Sequence, residues 1–140
     1  MKKVILDSSV VFTAVNSPTG GSAKLFTLGQ IKLYTTPLIL TEVERNVRKK
    51  LTKNHLERFF LLSKNLEIIH IKPNAKVILK AKKVIAEKDA PILADAKGSN
   101  INILVTLDQK DFLKPEVEKF LHPKKIMTPK ILLEILEKKA

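Results

Sequence analysis

Apolar residues along the chain form short runs that alternate with segments of helical spacing. The short runs predict strands at residues 4–6, 31–35, 66–71, 101–106 and 125–127. Strands that are separated by helices and covered on both faces pair in parallel. The pattern therefore predicts an α/β fold, a three-layer αβα arrangement with a central parallel sheet of four or five strands.

Helices are predicted between these strands from apolar spacing and from capping signals. Thr36-Pro37 and Thr128-Pro129 each combine a capping hydroxyl with a proline in the first turn. The predicted helices are 22–28, one starting at Thr36-Pro37, a further one carrying Leu56, Phe59 and Phe60, one opened by Pro73, one from Asp89 to Gly98, 116–121, and a last one after Thr128.

The composition is that of a folded chain, with 44% hydrophobic and 29% charged residues. Its 140 residues fit one domain over 1–140. No cysteine is present, which excludes disulfides, thiolate metal sites and cysteine nucleophiles, and three scattered histidines disfavour a histidine-built zinc site. Since the apolar runs are far shorter than the ~20 residues of a membrane helix, we expect a cytoplasmic protein without membrane association.

The charge is strongly positive, with 26 Lys and Arg against 14 Asp and Glu and a formal net charge of +12. Such a surface attracts polyanions, of which nucleic acid is the commonest in a cytoplasm. The alternative is a lysine-rich proteome in which the charge reflects solvation alone. Charge thus suggests a partner without specifying any chemistry.

Four acids are expected near the edge of the parallel sheet where ligands bind. Asp7 and Asp108 follow strands, and the carboxyl ends of parallel strands meet at one edge. Asp89 lies at a helix start, and Glu42 lies beside the apolar face of the helix after the second strand. Converging carboxylates repel unless a cation neutralises them, and oxygen-only ligands suit Mg²⁺ or Mn²⁺. Such an ion acidifies bound water for attack on a phosphodiester, so an acidic centre on a basic protein favours a nuclease.

Each acid also has a purely structural interpretation. Asp89 could be a helix cap, and Asp108 and Asp111 could be turn residues. Glu42 could pair with the polar residues three and four positions further along its helix. Asp95 points about 120° away from Asp89 on a helix of ~100° per residue, and is interpreted as a supporting or surface acid.

The order of four short motifs resembles a PIN domain over essentially the whole chain. The motifs are Val4-Ile5-Leu6-Asp7-Ser8-Ser9-Val10, Thr41-Glu42-Val43, Lys88-Asp89-Ala90-Pro91-Ile92-Leu93-Ala94 and Leu104-Val105-Thr106-Leu107-Asp108. This resemblance implies a ribonuclease dependent on Mg²⁺ or Mn²⁺. Many small members are VapC-like toxins of type II toxin–antitoxin pairs, so an antitoxin protein and a second copy in a homodimer are implied partners.

The resemblance also implies residue roles. Asp7, Glu42 and Asp89 match the first three acids of the family and Asp108 matches the fourth. Asp7, Asp89 and Asp108 are then the implied metal ligands, and Glu42 is a ligand or a water-orienting base. Thr106 matches the hydroxyl that supports Asp108, and Ser9 matches the small hydroxyl residue after the first aspartate. The alternative for the fourth site is that Asp111 takes it or shares it with Asp108.

Two questions stay open on the sequence. The basic residues that follow Glu42 are candidate RNA contacts or simply a solvated face; they are Arg45, Arg48, Lys49, Lys50 and Lys53.

The function itself has three further alternatives: an RNA-processing nuclease that is not a toxin, a non-catalytic PIN module that binds nucleic acid or protein, and a phosphoryl-transfer or receiver domain with Asp7 as acceptor. The last fits poorly, because Ser9 stands where a phosphatase of that type needs an aspartate.

Overall fold

Five parallel strands form one sheet in the computed structural model, which describes residues 1–72 and 74–138. The strands are β1 (Lys2–Leu6), β2 (Ile31–Thr35), β3 (Leu66–Ile68), β4 (Ile103–Val105) and β5 (Lys125–Met127). Their order across the sheet is β3-β2-β1-β4-β5, with every neighbouring pair parallel. The predicted α/β class is confirmed, with five strands.

Eight α-helices connect or flank these strands in the described residues. They are α1 (Ser8–Asn16), α2 (Gly21–Leu25), α3 (Pro37–Lys50), α4 (Lys53–Ser63), α5 (Ala75–Ala81), α6 (Ala90–Gly98), α7 (Pro115–Leu121) and α8 (Pro129–Lys138). A short 3₁₀ turn, Glu87–Asp89, leads directly into α6. None of these helices is long and apolar enough to cross a membrane.

The predicted elements differ from the structure mainly at their ends. Strands β3 and β4 are each three residues long, shorter than the apolar runs that predicted them. Helix α5 begins after its cap Asn74, whose side chain accepts hydrogen bonds from Lys76 N and Val77 N; the predicted start at Pro73 lies outside the described residues. Helix α1 was not predicted, and it is the principal omission.

The two threonine–proline helix starts form as predicted. The Thr36 side chain accepts a hydrogen bond from Ile39 N at 3.2 Å, and Thr128 accepts one from Ile131 N at 3.2 Å. In both helices the proline stands in the first turn, where no intrahelical N–H is required. These caps fix where the chain leaves β2 and β5 to start a helix.

The centre of the sheet holds the main core. Val4, Ile5 and Leu6 of β1 are at most 1% exposed, because β1 is paired on both sides and packed on both faces. Helix α1 packs against α3 and α4, and α5 packs against α6. The buried apolar side chains form a single cluster that includes Phe112, which is 1% exposed.

The strand order places a crevice between β1 and β4. The chain leaves β1 towards β2 on one side and leaves β4 towards β5 on the other, so the connections diverge at this point. Crevices at such switch points, beside the carboxyl ends of the strands, are where open α/β sheets bind ligands. The register pairs Leu6 with Val105, so the residues that follow, Asp7 and Thr106, emerge side by side.

Candidate metal centre at the carboxyl edge of the sheet

Asp7 is held rigidly at the end of β1. Its side chain is only 3% exposed, and its backbone N–H donates to Val105 O at 2.9 Å. Although Asp7 occupies the cap position of α1, its carboxylate makes no capping bond to that helix. Instead Oδ2 accepts hydrogen bonds from Ser9 Oγ at 2.9 Å and Thr106 Oγ1 at 2.8 Å. The carboxylate is thereby fixed and directed into the crevice between β1 and β4.

Thr106 links the first acid to the loop that carries the others. While its hydroxyl donates to Asp7, the same oxygen accepts a hydrogen bond from Asp108 N at 3.0 Å. Ser9 has a parallel role, since its hydroxyl donates to Asp7 and accepts from Leu107 N at 3.0 Å. The two hydroxyls therefore tie the Asp7 carboxylate to the chain just after β4.

Asp108 begins a tight turn that brings Asp111 back beside it. Asp108 Oδ1 accepts a hydrogen bond from Asp111 N at 3.0 Å, so the turn interpretation of Asp108 holds together with its place in the site. One carboxylate oxygen each of Asp89, Asp108 and Asp111 lies within 4.8 Å of the others. Asp7 is not a member of this closest set.

Asp89 contributes a buried carboxylate oxygen to the group. It is 9% exposed, and its Oδ2 is buried without a hydrogen-bond partner among the described residues. It makes no capping bond to α6, so the helix-cap interpretation fails. Burial raises the pKa of Asp89 to about 6. Lys88 opposes this rise in pKa, and the charges of Asp7, Asp108 and Glu42 add to it.

Glu42 reaches this cluster from α3. Its side chain is half-buried, and it makes neither a hydrogen bond nor an ion pair within residues 1–72 and 74–138. The helical pairing considered for it is therefore not formed, whereas the neighbouring Glu44 pairs with Arg48 at 3.0 Å. Its effect on the pKa of Asp89 places Glu42 in the same electrostatic field as the aspartates.

The donor set fits a hard divalent cation. The cluster offers carboxylate oxygens, the ligands that Mg²⁺ and Mn²⁺ prefer. Within residues 1–72 and 74–138, Asp89 Oδ2 is a buried carboxylate oxygen without a hydrogen-bond partner, and such atoms call for an ion, a water or a proton. Mutual repulsion of the acids would be relieved in the same way by a bound cation.

Basic residues line the outer side of α3. Arg45, Arg48 and Lys49 border a groove of about 580 Å³ together with Thr41 and Glu44. Lys50 ends the same helix and Lys53 starts α4, and both are exposed. Three of the basic positions predicted from the sequence thus share a groove, and the other two are exposed at the end of α3 and the start of α4.

Two features of the site were not resolved by the sequence. The sequence left open whether Asp111 replaces Asp108 or shares the fourth site with it, and the structure brings both beside Asp89. Thr106 was expected to support Asp108, and its hydroxyl does accept from Asp108 N; its additional bond to Asp7 was not predicted. Hydroxyl residues directly after two strands that pair in the centre of a sheet are the signal for such a link.

Comparison with known proteins agrees with this geometry. A family model described as PIN domain matches residues 4–117. No curated protein sequence matches the chain significantly.

Several solved structures share the fold. VapBC2 from Rickettsia felis, bound to a DNA fragment from its promoter, has a TM-score of 0.67 and 19% identity, covering 90% of this chain and 98% of that chain. DNA-bound VapBC from Salmonella typhimurium has a TM-score of 0.65 and 15% identity, covering 92% and 99%. VapC20 from Mycobacterium tuberculosis, a sarcin-ricin loop cleaving toxin, has a TM-score of 0.57 and 14% identity, covering 76% and 91%.

Proposed function

The chain belongs to the PIN domain family, and from this premise we propose that it is a divalent-metal-dependent endoribonuclease that acts as the toxin of a type II toxin–antitoxin pair. PIN domains are generally nucleases that use divalent metals. The observation that carries the proposal is the orphaned Asp89 Oδ2 in a cluster with Asp108 and Asp111. A basic groove on α3, the helix that carries Glu42, adds the charge needed to hold a polyanion.

Metal ligands are assigned on two grounds. Asp89 and Asp108 belong both to the family pattern and to the closest carboxylate set, so we assign them as the central ligands. Asp7 is a ligand by family pattern and Asp111 by proximity. A Mg²⁺ or Mn²⁺ ion held there supplies charge neutralisation at the scissile phosphate and acidifies a water molecule.

The chain's own residues supply the rest of the reaction. Glu42 has an unpaired carboxylate at the edge of the cluster, where it accepts the proton of the attacking water. Ser9 and Thr106 hold the Asp7 carboxylate in one orientation through their hydroxyls. Arg45, Arg48 and Lys49 hold the RNA backbone, with Lys50 and Lys53 extending the same surface.

Cleavage is tested with purified protein and synthetic single-stranded RNA. We expect cleavage with Mn²⁺ or Mg²⁺ and none with chelator. Glu42→Gln should lose at least about 100-fold in rate, as for a lost catalytic acid–base group. Asp89→Asn and Asp108→Asn should lose cleavage because they weaken the binding of the metal ion. Glu134→Gln on α8 is the matched control, because Glu134 is exposed and outside the site. Cleavage that persists in chelator, or in a folded Asp7→Asn variant, contradicts the proposal. If the protein cleaves DNA but not RNA, DNA replaces RNA as the proposed substrate.

The assignment of Asp7 and Asp111 is tested by Mn²⁺ titration calorimetry. An Asn variant of a true ligand loses binding by 10-fold or more, comparable to losing a residue that supports a metal site. If Asp7→Asn and Asp111→Asn both bind Mn²⁺ like the wild type, both assignments fail. A chain with no Mn²⁺ site at all is a non-catalytic module.

The toxin role is tested in cells. We expect induced expression to arrest growth, with relief in Asp7→Asn and relief by the antitoxin, a small protein encoded next to the toxin. A catalytically active chain that leaves growth unaffected is instead an RNA-processing enzyme. Homodimer formation stays a prediction, which light scattering on the purified chain measures.

A further inference from the structure

A second cavity lies beside the acidic cluster and is not used by the proposed reaction. It has a volume of about 490 Å³, within the range of small-ligand sites. Its walls are mostly apolar and include Leu38, Ile69, Ile78 and Pro91. Leu38 remains 44% exposed, so its side chain is accessible to a ligand in the cavity.

The cavity adjoins the acids through two helices. Pro91 follows Asp89 by two residues, and α3, which supplies Leu38, also carries Glu42. Asp95 lines the cavity one helical turn beyond Pro91. At ~1.5 Å of rise per residue, Asp95 lies roughly 9 Å from Asp89 along the axis of α6.

Asp95 is the one acidic residue among the described residues that line this apolar space. The side chain is half-buried and makes no hydrogen bond or ion pair within the part of the chain that the structure describes. Burial raises the pKa of Asp95. His70 and Lys72 line the same cavity but are exposed, so they lie towards solvent. The cavity thus combines apolar walls, one acceptor inside and basic groups outside.

We propose that this cavity is a nucleobase subsite that takes an unstacked guanine of the RNA, with the guanine Watson–Crick edge donating hydrogen bonds to the Asp95 carboxylate. An ionised carboxylate only accepts hydrogen bonds. Guanine presents two adjacent donors, N1–H and the N2 amino group, whereas adenine and cytosine place an acceptor beside their donor and uracil flanks its donor with two acceptors. Sequence-specific recognition of single-stranded RNA reads such edges of splayed-out bases.

The remaining walls suit the same occupant. Leu38, Ile69 and Ile78 offer apolar surface to the faces of the base. Lys72 and His70 at the mouth are placed for the adjoining phosphates. This inference rests on the proposed ribonuclease function, because it assigns to that activity a preference for guanine next to the scissile bond.

The experiment compares RNA oligonucleotides that differ at one guanosine, replaced by inosine, which lacks the N2 amino group, or by adenosine. For wild-type protein we expect kcat/KM to fall about 10-fold or more with adenosine, as for the loss of one bidentate base contact. The fall with inosine should be smaller, because inosine keeps the N1–H donor. In Asp95→Asn the difference between guanosine and adenosine should shrink to less than about threefold, since an amide offers one donor and one acceptor. Glu134→Gln is the control and should retain the wild-type preference.

A binding measurement separates this inference from the proposed function. Guanosine and adenosine monophosphates are titrated into chelator-treated protein and followed by NMR. Selective shifts at Leu38 and Ile78 with the guanosine nucleotide, lost in Asp95→Asn, support the subsite whether or not the protein cleaves RNA. Cleavage without guanine preference overturns the subsite and leaves the ribonuclease. Absence of guanosine binding in a protein that does not cleave overturns both.

Discussion

Asp89→Asn is expected to stabilise the metal-free protein near pH 7.5 while removing its response to divalent metal. The wild-type carboxylate is buried next to other acids, and its pKa is raised from 3.8 to about 6. A carboxyl group whose pKa is higher in the folded state favours folding when protonated and opposes it when ionised. An asparagine has the same shape without the charge, so it should remove that opposition.

The magnitude follows from the pKa. A rise from 3.8 to about 6 corresponds to roughly 3 kcal/mol of unfolding free energy at ~1.4 kcal/mol per unit. The penalty is absent below the unfolded-state pKa, grows as the pH rises from 3.8 to about 6, and is complete above that. Near pH 5 the gain from the substitution should therefore be about half of its value near pH 7.5.

Urea unfolding in chelator, followed by circular dichroism at several pH values, measures this difference. Added Mn²⁺ should stabilise the wild type by mass action and leave Asp89→Asn unchanged. Glu134→Gln, a charge change at an exposed position, should alter stability by less than ~0.5 kcal/mol at every pH. A variant less stable than wild type in chelator, or a difference that does not vary with pH, would refute the reasoning from buried charge.

Three further predictions concern other parts of the fold. Thr106→Val removes the hydroxyl between Asp7 and Asp108 N, so urea unfolding should show a loss of about 2–4 kcal/mol for two buried hydrogen bonds. Lys124→Met removes the ammonium that donates to the carbonyls of Ala96, Ser99 and Ile101, and should cost about 2–4 kcal/mol, whereas the same change at the exposed Lys125 should cost less than ~0.5 kcal/mol. Arg48→Ala should raise KM for RNA and leave kcat nearly unchanged. It should also reduce the slope of log KM against log salt concentration by ~1, and filter binding at several salt concentrations measures the same slope for RNA affinity.

The sheet and most helices were predictable because their signals are local. An apolar run such as 4–6 indicates a buried strand wherever it pairs, and threonine followed by proline starts a helix in any context. Helix α1 had a weaker signal, because its sequence SSVVFTAVN contains several β-branched residues, although Ser9, Thr13 and Asn16 lie on its less buried side. It forms a helix because Val10, Val11, Ala14 and Val15 are all buried there. Tertiary packing therefore overrides local propensity in this segment.

The sequence alone determined which acids could meet. Asp7 and Asp108 follow strands, and parallel strands end at one edge, so their proximity is a consequence of chain direction. The three-dimensional arrangement decided how they meet. The pairing of Leu6 with Val105 puts Thr106 between Asp7 and the loop that follows β4. The turn at Asp108 then places Asp111 beside Asp108 and Asp89.

Burial was likewise decided by the fold. Whether a carboxylate is solvated, orphaned or lining a cavity depends on atoms distant in sequence, and desolvation is what raises the pKa of Asp89 and of Asp95. From the sequence, Asp95 was a supporting or surface acid, whereas in the fold it is half-buried and lines an apolar cavity where α6 packs against α5. Residue type and order therefore fixed the available chemistry, and long-range packing fixed the environment in which that chemistry acts.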